Sequence, residues 1–458
     1  MEKLSLAALR LMASDGMTRP STDFPISPLA RQIFEIAEQH DSAARIVGGA
    51  VRDWLMGRAI GDIDMAINMP IKSAAAAFAD NGLRVIETGI DHGTVTVMMA
   101  GIDGGDKGAP PQSIEVTQTR IDVETDGRHA RVAFSDDWAA DAARRDLTIN
   151  AIYLTADGTI DDPLNGRADI ATQRLRFAGD ASERVREDAL RMLRYCRFLS
   201  LFTPVGPKGQ TRIDPEARAA LEAHFELAAN LSGERVRNEL KKIFDGADAH
   251  AALRLMQESG VARAAIGVEL TPERLAFLPP RDAIVPAVNP WAVNLWAVNL
   301  WIVFLNTVIP HGTARMVGQR LRLSRIETRL LDQLDRYRVD HAASGSSASG
   351  EIAGEVAGKI AGEIAGENWR RAAWTLRRAD IDPSFCYLAL MAERHQKADP
   401  EHAQILSNWQ APTCPVTGAD LLSQGVDKGP ALGQLLAKIE ARWVASDFTL
   451  SKAELLKY

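Results

Sequence analysis

A chain of 458 residues is too long for a single compact core and calls for roughly two to four domains. Hydrophobic residues make up 46% and charged residues 25%, an ordinary soluble balance, and the net charge of −7 argues against bulk electrostatic attraction to nucleic acid while leaving room for a local basic groove. Cys196, Cys386 and Cys414 form neither a CxxC pair nor a metal-ligand spacing; this excludes a disulfide scaffold and predicts a reducing, cytoplasmic setting.

Residues 1–26 read as an N-terminal extension. Its apolar stretch is broken by Arg10, so it lacks a signal-peptide layout. The stretch "SPLARQIFEIAEQH" has helical periodicity behind a capping Ser27. "RIV", "DIDMAI", "HGTVTVMMA", "SIEVTQT" and "INAIYLT" read as short strands rich in β-branched residues. From about residue 183 onward, apolar residues recur at three- and four-residue spacing and strand signals fade. The apolar run at 291–305 is interrupted by Asn294 and Asn299 and is too short to span a bilayer, so no membrane partner is expected. It contains the tandem repeat "WAVNLWAVNLW". A second repeat, "EIAGEVAGKIAGEIAGE", places Gly at every fourth position, each costing roughly 1 kcal/mol in a helix. Residues 342–367 therefore read as a flexible or weakly helical insertion without chemistry of its own. The class is an α/β or α+β head followed by an all-α remainder.

Asp62 and Asp64 stand two apart in a strand-like segment, which would place both carboxylates on one face. Such a pair repels itself unless a cation such as Mg²⁺ lies between its members; the alternative is a solvated strand end. Just before them, Gly48-Gly49 lets backbone N–H groups approach a phosphate. The helix predicted from about residue 50 aims its N-terminus at the same place, and Arg52 adds a cation. A plain strand-to-helix turn would need only one glycine. No G-x-x-x-x-G-K-[ST] occurs in this segment, so it is not a P-loop. Arg144-Arg145-Asp146 precedes an apolar strand. It reads either as a surface ion pair or as an arginine for a triphosphate and an aspartate for a ribose hydroxyl. On one helix, Asp188, Arg191, Arg194 and Arg197 would form a slowly drifting stripe. That stripe is either a salt-bridged surface or a base reader. A carboxylate accepts from the amino group of cytosine or adenine, and a guanidinium donates to the neighbouring ring acceptor. Uracil and guanine reverse that order, so Asp188 and Arg191 would accept CTP and ATP.

Six segments together, "VGGAVRDWLMGRAIGDIDMAI", "HGTVTV", "RRDLTINAI", "DDPLNGRADI", "EDALRMLRYCRF" and "SGERVRNELKKIF", run in order through roughly residues 45–245. In this the chain resembles the class II nucleotidyltransferases, the tRNA CCA-adding enzymes and bacterial poly(A) polymerases, and stands nearer the CCA-adding enzymes. The resemblance implies an α+β fold: a palm-like, mixed-sheet head at 27–155, then an all-α neck with nucleotide-selecting helices at 156–245, a helical body at 246–341 and a helical tail at 368–458. By motif, it implies that Gly48, Gly49 and Arg52 contact the triphosphate and that Asp62 and Asp64 hold Mg²⁺. Arg145 and Asp146 would bind phosphate and ribose, and Asp188 and Arg191 would select the base. Arg194 and Arg197 would support the triphosphate. Glu115 is a candidate third carboxylate. Glu234, Arg235, Glu239 and Lys241 would brace the neck.

The implied activity is template-independent addition of CCA to tRNA 3′ ends from CTP and ATP with Mg²⁺. Poly(A) addition, CC-only addition and a non-catalytic RNA-binding role are the alternatives. The segment at 119–134 resembles the family's flexible loop and favours full CCA addition. Three departures stand out. Ala66-Ile67-Asn68 replaces the usual Ala-Thr, Ala189 stands at a position often Pro, and similarity in the C-terminal half is confined chiefly to "LRLSRIE". The arginines between 314 and 338 could track an RNA backbone, or they could belong to an amphipathic surface helix. No motif sets an oligomeric state.

Overall fold

The computed structural model describes residues 17–18, 24–99, 113–125, 130–201, 212–279, 300–337, 363–366, 369–378 and 382–457. The repeat at 291–299 and most of the N-terminal extension and of the 342–367 insertion lie outside them. The chain falls into two compact units. The first comprises residues 1–231 and 246–265, the second 232–245 and 266–458.

The first unit is built on an eight-stranded sheet. Its strands in chain order are β1 (Met17–Thr18), β2 (Ala44–Val47), β3 (Asp64–Ile67), β4 (Leu83–Gly89), β5 (Thr94–Met99), β6 (Ser113–Gln118), β9 (Tyr153–Leu154) and β10 (Ile160–Asp161). Between β6 and β9 the chain forms a separate two-stranded ribbon, β7 (Arg120–Thr125) with β8 (Ala130–Phe134). The spatial order is β1-β10-β9-β2-β3-β6-β5-β4. Within this sheet, among the described residues, only β3 and β6 run parallel, with Asp64 opposite Glu115; β2 and β3 are antiparallel, with Val47 opposite Asp64. This central register places the ends of β2, β3 and β6 side by side.

Helix α1 (Pro28–Gln39) starts where expected, with the Ser27 hydroxyl accepting from the Ala30 amide at 3.1 Å and Pro28 in the first turn. It buries Leu29, Ile33, Phe34 and Ile36 against the sheet. Helix α2 (Gly49–Leu55) follows β2 directly, and α3 (Ile71–Asp80) follows β3. Helix α4 (Trp138–Ala143) places Ala142 in a buried cluster with Val47, Ala66, Ala151 and Tyr153. That cluster underlies the sheet ends.

Three local expectations need correction. The strand predicted from Asp62 starts only at Asp64, because β2 stops at Val47 and the chain turns into α2, so no β2 residue remains to pair beyond Asp64. The predicted strand "INAIYLT" is reduced to Tyr153–Leu154, because residues 148–150 form a 3₁₀ turn. The predicted helix over 183–198 is two helices, broken at Asp188.

Beyond α5 (Gly166–Thr172), the first unit continues as helices α6 (Ala181–Glu187), α7 (Leu190–Leu201) and α8 (Pro215–His224). In the second unit, helix α9 (Gly233–Phe244) contains the residues expected to brace the neck. A Cβ on Gly233 would lie 2.1 Å from the Arg320 carbonyl oxygen, so the backbones meet closely there. Glu234 pairs with Arg322 at 2.8 Å, and Lys241 pairs with Glu327 at 2.7 Å while lying 4.7 Å from the Trp301 ring centroid. These contacts place residues 232–245 with the second unit, whereas the sequence grouped them with 156–231. The single amphipathic helix considered for 314–338 is two helices, Ala314–Arg320 and Arg325–Tyr337, separated where Arg322 takes φ +50°. At the end of the 342–367 insertion, Ile364 is fully buried and its carbonyl lies 3.0 Å from His402 Nε2. Near the C-terminus Val416, Leu421, Ile439, Trp443 and Leu455 form a core. Among the described residues no helix is long and apolar enough to cross a membrane.

Candidate active site

The turn from β2 into α2 sets one wall. Gly48 caps α2 with φ +78° and ψ −129°, a backbone region in essence reserved for glycine. Gly49 is under no such demand: a Cβ there would meet only Arg52 Nη2, at 3.7 Å. The turn therefore requires one glycine, and the second leaves open space on the cleft side. Arg52 is largely buried and held from two directions. Its Nε and Nη2 donate to Asp53, both at 2.9 Å, and its Nη1 donates to Asn150 Oδ1 at 2.7 Å.

The second wall comes from α4 and the turn after it. Asp141, almost wholly buried, accepts from Arg144 Nε at 3.0 Å, from Arg145 Nη2 at 3.0 Å and from the Tyr153 hydroxyl at 2.7 Å. Burial pushes its carboxyl up, but Arg145, Arg144 and Tyr153 outweigh burial and hold it below the usual carboxylate range. Asp146 accepts from the Leu147 amide at 2.9 Å, Asn150 Nδ2 at 3.0 Å and Arg194 Nε at 2.8 Å, and a second Arg194 nitrogen also reaches it. Burial again raises its carboxyl and Arg194 with Asn150 reverses the direction, leaving it lowered. A carboxylate has about four acceptor positions, so a ribose hydroxyl would have to displace one of these donors.

The third wall is the α6–α7 break. Asp188 adopts an extended backbone, and its Oδ1 accepts from the Leu190 amide at 3.0 Å, which caps the new helix. Arg191 pairs with Glu187 and donates to the Arg184 carbonyl at 3.3 Å. Arg194, Arg197 and Phe198 follow along α7.

These walls enclose a cleft of about 450 Å³ lined by Gly48, Gly49, Arg52, Asp64, Arg144, Arg145, Asp146, Asn150, Asp188, Arg191, Arg194, Arg197 and Phe198. Ten of the twelve residues singled out from sequence line it. Asp62 and Glu115 do not; both are exposed beside the mouth, Asp62 just ahead of β3 and Glu115 opposite Asp64 on β6. Partial burial, then Glu115 and, more weakly, Asp62 push the Asp64 carboxyl up to about 6, with Arg145 pulling the other way. Among the described residues no three His, Cys, Asp or Glu side chains are drawn together closely enough to cage a metal.

Sequence reasoning passed over Asp141, Asn150 and Phe198. Asp141 had a readable signal, since it lies three and four residues before Arg144 and Arg145 on a helix. Asn150 and Phe198 gave none, because their partners come from other elements.

The poly(A) polymerase head domain matches residues 44–176, and the probable RNA- and SrmB-binding site of polymerase A matches residues 212–266. The mitochondrial CCA tRNA nucleotidyltransferase 1 of Danio rerio is 32% identical over 424 residues, 92% of this chain and 88% of that protein. The CCA-adding enzyme of Geobacillus stearothermophilus is 37% identical over 231 residues, 50% of this chain and 52% of that one. Among solved structures, the Bacillus stearothermophilus CCA-adding enzyme in complex with CTP aligns with a TM-score of 0.57 at 25% identity, covering 92% of this chain and 94% of the other. With a mixed-sheet head, an arginine-lined cleft and a relative matched along nearly its full length, the chain belongs to the CCA tRNA nucleotidyltransferase family.

Proposed function

We propose that this enzyme adds CCA to the 3′ end of tRNA without a template, taking CTP and ATP as substrates. One observation carries the reading. A single cleft gathers Arg52, Arg145, Arg194 and Arg197, the Asp188–Arg191 pair and the Asp64 carboxylate from four separate stretches of chain. Clustered guanidiniums suit a triphosphate, and a carboxylate beside a guanidinium suits the edge shared by cytosine and adenine. The match to a tRNA nucleotidyltransferase over most of its length supports tRNA as the acceptor.

Asp64 and Asp62, with Glu115 adjacent, would hold the divalent ion such chemistry uses, which we take to be Mg²⁺. The donor set fits. A carboxyl raised to about 6 partly by neighbours of its own sign is relieved by a cation. Mg²⁺ needs only one or two carboxylates when waters and substrate phosphates complete its shell. When bound, it would lower the pKa of the RNA 3′-hydroxyl and offset charge on the triphosphate. Arg52, Arg194 and Arg197 hold the phosphates so that the hydroxyl meets the α-phosphate in line with departing pyrophosphate. Asp141 aims Arg144 and Arg145 into the cleft. We assign Asp146 first to bracing Arg194 and Asn150, with ribose contact secondary. Asp188 and Arg191 read the base once Arg191 turns from Glu187.

We place the enzyme in a reducing compartment, the cytoplasm, on its three free thiols; the Danio rerio relative is named as mitochondrial. Asp62→Ala and Asp64→Ala should each abolish nucleotide incorporation into a tRNA transcript lacking CCA while circular dichroism stays native. Near-wild-type incorporation by Asp62→Ala would remove Asp62 from the metal site.

A further inference from the structure

Positive charges that converge on one cleft repel one another, so each needs something to hold it in place. Asp53 and Asn150 hold Arg52, and Asp146 holds Arg194. A second contact is common to three of the arginines. The guanidinium carbons of Arg52, Arg194 and Arg197 lie 5.0, 5.6 and 4.3 Å from the ring centroid of Phe198. The ring is 4% exposed, yet it lines the cleft. Three guanidiniums gathered around one ring distinguish Phe198 from an ordinary apolar residue on the inner face of α7.

The contacts also close on themselves. Arg52 donates to Asn150, Asn150 donates to Asp146, Asp146 accepts from Arg194, and Arg194 and Arg52 both meet Phe198. Arg194 and Phe198 are four apart on α7 and so share a face, whereas Arg52 arrives from α2. Phe198 is thus where the arginine of one element is registered against those of another.

An aromatic ring suits this task better than a carboxylate. A carboxylate beneath a guanidinium takes its N–H donors and cancels its charge. A ring attracts the cation through its quadrupole, accepts nothing in the guanidinium plane and leaves the charge whole. A polyanion entering the cleft then meets arginines whose spacing the ring helps to set, while Asp53 and Asp146 offset part of the charge on Arg52 and Arg194.

We propose that Phe198 is a positioning residue that holds Arg52, Arg194 and Arg197 as one preset surface for the triphosphate, acting on every nucleotide alike. The inference rests on the triphosphate reading of the cleft and adds to it the residue that sets arginine spacing.

The test uses the full-length enzyme with Phe198→Leu and Phe198→Met, which keep apolar bulk without the ring, and Phe198→Tyr, which keeps the ring. Binding of inorganic tripolyphosphate, CTP and ATP is measured by calorimetry, with KM and kcat from incorporation into tRNA. Phe198→Leu and Phe198→Met should weaken all three ligands by the same factor, roughly three- to tenfold, and raise KM with kcat nearly unchanged. Phe198→Tyr should restore binding. Equal loss in the Tyr variant would overturn the proposal, as would a change in CTP against ATP with tripolyphosphate unaltered, wild-type affinity in folded Leu and Met variants, or failure of both to fold. Tripolyphosphate binding requires no catalysis. A wild-type enzyme that binds it but adds no C or A would count against CCA addition while leaving the Phe198 comparison readable.

Discussion

Asp64 carries the sharpest consequence at the scale of single residues. Its carboxyl is raised to about 6, partly by burial and partly by Glu115 and Asp62. A raised acid favours the folded state while protonated and loses that contribution as pH rises through the folded value. In EDTA, the thermal midpoint of Asp64→Asn should therefore exceed that of wild type at pH 7.5, and the gap should close below about pH 4. Because protons and metal would compete for this carboxyl, the Mg²⁺ concentration needed for half activity should rise as pH falls below 6. Asp141 has the opposite sign. Its carboxyl is held low by Arg145, Arg144 and Tyr153, so it stabilises the fold above the usual carboxylate range, a contribution lost as pH drops through its folded value. Asp141→Asn should cost about 2 kcal/mol in urea unfolding at pH 7 and raise KM for both nucleotides, with a smaller loss at acid pH. Charged residues were the most legible part of the site. Arg52, Asp64, Arg145 and Arg191 were singled out from the sequence, because few residue types can pair with phosphates or cations, and all four line the cleft. Asn150 and Phe198 could not be read, since an amide and a phenyl ring have no single use and their partners lie far along the chain.

Among the elements, the turn from β2 into α2 separates two roles of adjacent glycines. Gly48 needs its positive φ, whereas Gly49 leaves room. Gly48→Ala should lower stability by about 1–3 kcal/mol, as measured by denaturant titration. Gly49→Ala should leave stability near wild type and raise the KM for both nucleotides, because the added methyl stands beside Arg52 Nη2. Helix α1 was legible from its Ser27 cap and apolar stripe, which are local signals. The strand β4 was missed although Asn81-Gly82 marks a turn just ahead of it, because "LRVIETG" lacks clean alternation. The break at Asp188 was missed for a different reason. The spacing of Arg191, Arg194 and Arg197 fits one continuous helix, and only the capping contact from Asp188 to Leu190 divides it.

At the scale of the molecule, strands in the first third of the chain and helical spacing afterwards marked an α/β or α+β head with a helical remainder, and the mostly antiparallel mixed sheet makes it α+β. The segment at 232–245 was the exception. It reads as continuous with the preceding neck, but Gly233, Glu234 and Lys241 make their contacts with residues 320–327 of the second unit. Sequence order cannot reveal which side of a boundary a helix packs on. The match to the probable RNA- and SrmB-binding site of polymerase A covers residues 212–266, most of it ahead of the proposed body at 246–341.

The central claim, ordered addition of C, C and A, is tested by offering tRNA transcripts that end before CCA, after the first C and after the second C, each with one labelled triphosphate at a time. With ordered addition, the first two accept only C, and the third accepts a single A and then stops. A long A tail on any of them, or on unrelated RNA, would contradict it.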